Sequence, residues 1–453
     1  MMAVITGAAE AMSDVAVAHA ALEAKGPAYT ILWQYYDGVQ PLVYSTERLQ
    51  SLFRTINGRF SENWCGAVVN AAVDRLNLTG FAVTDQDEAT AQLGALFSAT
   101  DLGLDSDDVH LAALVCGEAF VIAWPDDSGA VSAYYNDPRM VHAQYDADNP
   151  KHMSWAAKRW VTDDGTYRLT MYYSDRIEYY QTIAKADNVT DAAAYRLAET
   201  PAATNPYGEI PVFHFRRATR AIRSELTDVI PLQDAVNKLF ADMMVSAEFG
   251  AFRQRYIISQ ADVSTLKNSP NEIWNIPAGD GTGQQTQVGE FSQTELGSYL
   301  SAMDQLAMAI AIITRTPKHY MLAQGGDPSG EALITMEAPL TRKVERYQEH
   351  FSATWKRAAA FMLRLSGTTV EPSQIVPQYD PIATVQPLTQ AQVGVLKDQL
   401  GVSKPQIQRE LGYTEEQIVK MQEERAAQSA ALGAQLLTAF DHGDDTDGEG
   451  GLE

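Results

Sequence analysis

The sequence predicts an α+β fold, and three observations predict it. Trp155 to Tyr180 alternates with a period of two around a turn at DDGT, the mark of an antiparallel meander. Two stretches, Ser224 to Gln254 and Glu331 to Leu365, instead place apolar residues at helical spacing. At 453 residues the chain exceeds what one compact core holds, so two or three structural regions are expected.

From the start, MMAVITGAAEAMSDVAVAHAALEA has no basic residue ahead of its apolar part, which disfavours a signal peptide and leaves an alanine-rich helix or a flexible arm. An aromatic segment, YTILWQYYDGVQPLVYS, leads through a helical pattern at Leu49, Leu52, Phe53 and Ile56. A helix follows in which Trp64, Val68, Val69, Ala72, Val73 and Leu76 recur at helical spacing. Residues 85–108 hold seven acids and no Lys or Arg. HLAALVCGEAFVIAWPDDSGAVSAYYNDP then predicts a helix running into a strand, an Asp-Ser-Gly turn and a second strand. After the meander, residues 184–204 have the composition of a polar, alanine-rich loop, and NPYGEIPVFHF that of a turn and a short strand.

The first long helix has Pro231 in the turn after Asp228, so Asp228 is the expected cap, and Val236, Leu239, Phe240, Met243 and Met244 form its stripe. RYIISQ predicts a strand, and turns and strands fill residues 260–291 (NEIWNIPAG, TQVGEF). A second helix is expected from Gln293 to Thr314, and a loop over 315–330. The helix after it carries Pro339, which removes a backbone donor and clashes one turn back at a cost of about 3 kcal/mol, so a kink is expected there. Beyond Gly367 the chain reads as extended to Pro387. Helices are then expected over Thr389–Leu400, Lys404–Gly412 and from Thr414 to about Leu437. DHGDDTDGEGGLE, with six acids and no base, has a disordered composition.

Composition narrows function. Net charge is −24, which disfavours a tight DNA binder while allowing contact with DNA that must slide past. Cys65 and Cys116 form no CxxC or Cys/His cluster, so neither a disulfide framework nor structural zinc is expected, and a reducing compartment fits. The apolar run Leu306–Ile313 falls short of the roughly 20 residues that cross a bilayer. GxxxxGK[ST], HExxH and GxSxG are absent, so no catalytic residue, cofactor or metal is assigned. GDGTG at 279–283 fits a loop tip, DSDDVH at 105–110 a solvated helix start, and Ser329 a helix cap rather than a nucleophile. Two basic stretches remain: HFRRATRAIR, with Arg216, Arg217, Arg220 and Arg223, and Thr341–Arg364, with six Lys or Arg against two Glu. Salt bridging is the reading preferred for both, and phosphate contact the alternative.

The order of these segments resembles the actinophage branch of the SPP1-type portal family of tailed bacteriophages. The residues that carry it are WCGAVVNAAVDRL, ALVCGEAFVIAW, NPYGEIPVFHF, SELTDVIPLQDAVNKL, PKHYM…GGDPSGEALITMEAPLTRKVERYQ and SKPQIQRELGYTEEQI, spanning about residues 30–425. The resemblance implies a portal fold: an α+β wing with a flexible start (1–223), stem helices (224–250 and 292–314), a small α/β clip (251–291), a tunnel loop and kinked wing helix (315–385) and a short helical crown (386–430). The acidic tail (431–453) and the alanine-rich arm carry no family assignment.

The resemblance further implies a dodecameric homo-oligomeric ring at the capsid vertex of the virion, assembled in the host cytoplasm. Double-stranded DNA would pass through its channel during packaging and ejection. Terminase large subunit, a head–tail adaptor, and major capsid and scaffold proteins would be its partners, with no membrane. Lys318, His319 and Gln324 of the tunnel loop are the expected channel residues, and Pro339 the expected kink. The alternatives are another virion ring component, disfavoured by length, and a metal-dependent nuclease using the acids at 105–108.

Overall fold

The computed structural model describes residues 2–41, 62–218, 220–251, 255–258, 287–290, 295–321, 330–382, 387–411, 413 and 417–427. It divides into two compact units, Met1–Tyr379 and Asp380–Glu453.

In the first unit, helix α1 (Met2–Tyr36) settles the choice between helix and arm in favour of helix. Helix α2 (Trp64–Val73), strand β1 (Leu78–Val83) and helices α3 (Asp87–Ala99) and α4 (Leu102–Val115) follow. DSDDVH therefore begins in the first turn of α4, at Asp105, and runs on into the helix. Asp105 accepts a hydrogen bond from the Tyr135 amide at 2.7 Å, and Ser106 and His110 are buried.

Strands β2 (Glu118–Pro125), β3 (Val131–Asn136) and β9 (Val212–Arg216) form an antiparallel sheet with β2 at its centre. The meander is β4 (Val141–Tyr145), β5 (Met153–Val161), β6 (Thr166–Tyr172), β7 (Arg176–Lys185) and β8 (Tyr195–Thr204), antiparallel in sequence order. Strand β8 corrects the loop expected over 184–204. It is an edge strand, and its ladder shifts register between Glu178 and Tyr180.

Period-two alternation decides what each sheet face buries. Trp155, Ala157, Leu169, Met171 and Tyr180 pack on Val15, Ala18 and Leu22 of α1. The opposite face, with Ala156, Tyr172 and Ile177, meets Phe120, Ile122 and Val212 of the three-stranded sheet. Phe213 and Phe215, alternating with Val212, turn to helix α7 (Gly330–Leu365), where Phe361, Phe351 and Trp355 receive them. Fully burying each such side chain contributes roughly 1.5–3 kcal/mol. The layers are thus α1, five strands, three strands, and α4 with α7.

One carboxylate is buried at the sheet centre. Glu118 accepts from Lys25 Nζ at 2.9 Å and Tyr29 Oη at 2.8 Å, and lies 2.8 Å from His214 Nε2. Burial alone would push its carboxyl up; the His214 and Lys25 hydrogen bonds and charge bring it down to about 2. Burial lowers the His214 pKa, and its Nδ1 lies 3.0 Å from the Tyr145 hydroxyl. Gly117, at φ +89°, makes the preceding turn, and a Cβ there would lie 2.6 Å from the Arg223 carbonyl carbon.

Helix α5 (Ile230–Ala251) packs along helix α6 (Leu296–Thr314), with Ser246 and Tyr299 hydroxyls 3.1 Å apart. Between them β10 (Arg255–Ile258) pairs antiparallel with β11 (Gln287–Glu290), matching the strands expected at RYIISQ and TQVGEF. NEIWNIPAG and GDGTG, like Leu49–Ile56 and Ser329, lie outside the described residues. Strand β12 (Ile375–Tyr379) closes the unit by pairing with β1. In the second unit, helices α8 (Pro387–Gln399) and α9 (Lys404–Glu410) occupy the two expected places, and 417–427 is helical.

Candidate functional site

The segment SELTDVIPLQDAVNKL is where the long helices are joined. Ser224 Oγ accepts from the Leu226 amide at 2.9 Å and caps a short 3₁₀ turn, Glu225–Asp228, that leads into α5. Pro231 then lies in the first turn of α5, where its missing donor costs nothing. Buried Gln233 accepts from the Trp64 amide at 2.9 Å, satisfying an orphan donor at the start of α2. Asp234 accepts from Tyr35 Oη at 2.8 Å, which adds the end of α1.

Glu225 is the centre of the junction. Its Oε1 accepts from Lys343 Nζ at 2.9 Å, and its Oε2 from Arg217 Nη1 and Tyr347 Oη, each at 2.7 Å. Lys343 also donates to the Thr314 carbonyl at 2.6 Å, at the last residue of α6. One carboxylate therefore ties together the entry to α5, the exit of α6, the middle of α7 and the chain leaving β9. Burial opposes its charge, but Lys343 and Arg217 outweigh burial and hold the carboxyl below its ordinary value. The salt bridging expected for HFRRATRAIR is present in Arg217–Glu225 at 2.7 Å and Arg223–Asp228 at 2.6 Å.

Lys318 and His319 form a 3₁₀ turn with Tyr320 just beyond α6, and Gln324 lies outside the described residues. Lys318 is exposed, and His319 Nε2 lies 3.8 Å from Glu337 of α7. Three residues not singled out from the sequence complete this cluster. Arg75 donates to Tyr320 Oη at 2.6 Å, Tyr320 donates to Glu337 at 3.1 Å, and Arg75 lies 3.6 Å from Glu337. The turn after α6 is thus tied to α7 through Tyr320 and Glu337. Pro339 sits on an exposed position two residues on, inside one continuous helix.

Among the described residues, α6 is long and apolar enough to cross a membrane by length and composition, although its longest uninterrupted apolar run is short. One side packs on α5, while Leu300 (51 %), Ile312 (70 %) and Ile313 (53 %) remain exposed. No group of three or more His, Cys, Asp or Glu placed to hold a metal occurs among the described residues.

Layered sheets, a strand-tipped helical pair and a long return helix tied at one buried carboxylate define an α+β protein built to hold long helices in a fixed relation. The family model for the phage portal protein, SPP1 Gp6-like, matches residues 21–431, and the chain belongs to that family. It is 24 % identical over 333 residues to the portal protein of Mycobacterium phage L5 and 22 % identical over 330 residues to that of Mycobacterium phage D29. Each match covers 68 % of this chain and, respectively, 65 % and 66 % of the relative, just under two thirds of its length. A solved structure described as the neck of a native GTA particle computed with C12 symmetry aligns at TM-score 0.44 and 13 % identity, covering 82 % of this chain and 95 % of that one.

Proposed function

We propose that the chain is the ring subunit at the capsid vertex of a tailed phage, forming the channel for double-stranded DNA packaging and ejection. On this reading residues 1–223 make the wing, 224–250 and 292–314 the stem and 251–291 the clip. The clip is the docking site for terminase and the head–tail adaptor. Residues 315–385 make the tunnel loop and wing helix, and 386–430 the crown. Lys318, His319 and Gln324 line the channel, and Pro339 sets the angle of the helix behind them. One or two cations per subunit suit a sliding contact, because strong phosphate pairing would stall movement.

The observation that supports assembly is that α6, apolar along most of its length, leaves large apolar side chains exposed in one chain. Leu300 and Ile312 on an otherwise acidic protein are explained by burial against neighbouring copies in a head-to-tail ring. Ile312→Glu tests this, since at 70 % exposure the change disturbs little within the subunit. Light scattering should show the wild type as a ring and the variant as smaller species with unchanged circular dichroism. An unchanged ring would contradict the assignment of Ile312 to an interface. The purified protein should hydrolyse neither ATP nor DNA, because a separate motor drives packaging. ATP turnover lost on mutating a residue of this chain would overturn the reading.

A further inference from the structure

The Glu225 junction forms the floor of a cleft of about 510 Å³. Arg217 and Lys343 are matched there to Glu225, and Arg223 is matched to Asp228. Three further guanidinium groups line the same cleft: Arg220 from the loop after β9, Arg315 from the end of α6, and Arg346 from α7. Among the described residues none of these three has a carboxylate partner. Three cations without a carboxylate partner among the described residues thus share one concavity, on a chain whose net charge is −24.

Arg315 supplies a second, independent observation. It follows the last residue of α6 at φ +58°, with the Thr316 amide bonded to the Ala311 carbonyl at 3.0 Å and its own amide to the Ile312 carbonyl at 3.3 Å. That closing turn favours glycine, because a Cβ is strained at positive φ. An arginine at this position gives up local stability while supplying a cation to the cleft. Arg346 lies one turn beyond Lys343 and one turn before His350, whose Nδ1 donates to the Arg217 carbonyl at 3.0 Å.

We propose that this cleft is a phosphoryl-anion site, held by Arg220, Arg315 and Arg346. Guanidinium forks from three elements suit an anion whose oxygens are not coplanar, whereas a carboxylate offers only two in one plane. The site is separate from Lys318 and His319 and does not depend on the channel reading. The phosphoryl group has two possible sources, a free polyphosphate or the backbone of a nucleic acid.

The test is calorimetric titration of the intact protein at low salt with sodium pyrophosphate and, separately, with a 20-base-pair duplex. Wild type, Arg346→Gln and Arg315→Gly are compared, with a polyglutamate peptide as a third titrant. Pyrophosphate should saturate the wild type at one per subunit and bind at least about tenfold more weakly to both variants. Arg315→Gly should also melt at a higher temperature without ligand, since glycine relieves the positive φ. That opposite movement of stability and binding is not expected of a merely structural arginine. Parallel loss of duplex binding identifies a nucleic-acid backbone as the source, and loss for pyrophosphate alone identifies a free polyphosphate. Pyrophosphate binding that is absent, or equal in all three proteins, overturns the proposal. Binding of polyglutamate in place of pyrophosphate also overturns it, in favour of an acidic protein partner.

Discussion

Lys343→Met removes one of the two cations on Glu225 while keeping the length of the side chain. Lys343 and Glu225 side chains are only 10 % and 6 % exposed, so water does not replace the lost partner. Oε1 of Glu225 is left without its donor, while Oε2 keeps Arg217 and Tyr347. Stranding a buried charge altogether costs about 3–5 kcal/mol, and half of this carboxylate stays partnered, which brings the expected figure toward 2. The Thr314 carbonyl also loses its donor, adding about 1 kcal/mol, for a total near 3. Arg223→Ala is the comparison, because Arg223 and Asp228 are 50 % and 56 % exposed and such a pair contributes about 1 kcal/mol at most. Urea unfolding followed by circular dichroism should separate the two variants clearly in midpoint at equal slope. Adding Glu225→Gln to Lys343→Met should recover part of the loss, the signature of coupling. If Lys343→Met costs no more than Arg223→Ala, Glu225 does not join the helices in the way described.

Gly117→Ala meets both a positive φ and a Cβ 2.6 Å from the Arg223 backbone, so a loss of about 3 kcal/mol or more is expected, read as reduced soluble yield and a lower unfolding midpoint. Glu118 predicts acid sensitivity. Its depressed pKa stabilises the fold fully above about pH 4.5, and this is lost as pH falls toward about 2, up to about 3 kcal/mol in all. Glu118→Gln should flatten that part of the pH–stability curve, and an unchanged curve would contradict the linkage. Pro339→Ala restores a helix donor and should stabilise the subunit by up to about 3 kcal/mol while packaging falls, and normal packaging would remove the mechanical role of the proline.

Long elements were legible in the sequence because their period repeats over many residues. α7 shows it in Leu340, Val344, Tyr347, Phe351 and Trp355, all buried and three or four residues apart. Strand β8 was hidden because Tyr195–Thr204 has alanines and Pro201 in place of β-branched residues, and it is held by pairing with β7 rather than by its own propensity. The β1–β12 ladder was equally invisible, since its strands lie almost three hundred residues apart in the chain. DSDDVH marked the first turn of α4 through Asp105, but the capping position is Asp101, in the left-handed region, which has no side-chain cap bond. The Glu225 centre left only a partial trace, two basic stretches against an acidic background. Its members at 217, 225, 343 and 347 meet only once the sheets and helices have packed. Arg75, Tyr320 and Glu337 had no local signal, because each is an ordinary surface residue until the others are placed beside it.

The central claim is that this chain acts as one subunit of a closed ring. Single-particle mass measurement of the purified protein, repeated across salt concentrations, tests it most directly. The account predicts a discrete species near 600 kDa, a dodecamer of the 49.7 kDa chain, with a central hole in negative-stain images. A monodisperse monomer at high protein concentration, in every salt condition, would contradict it.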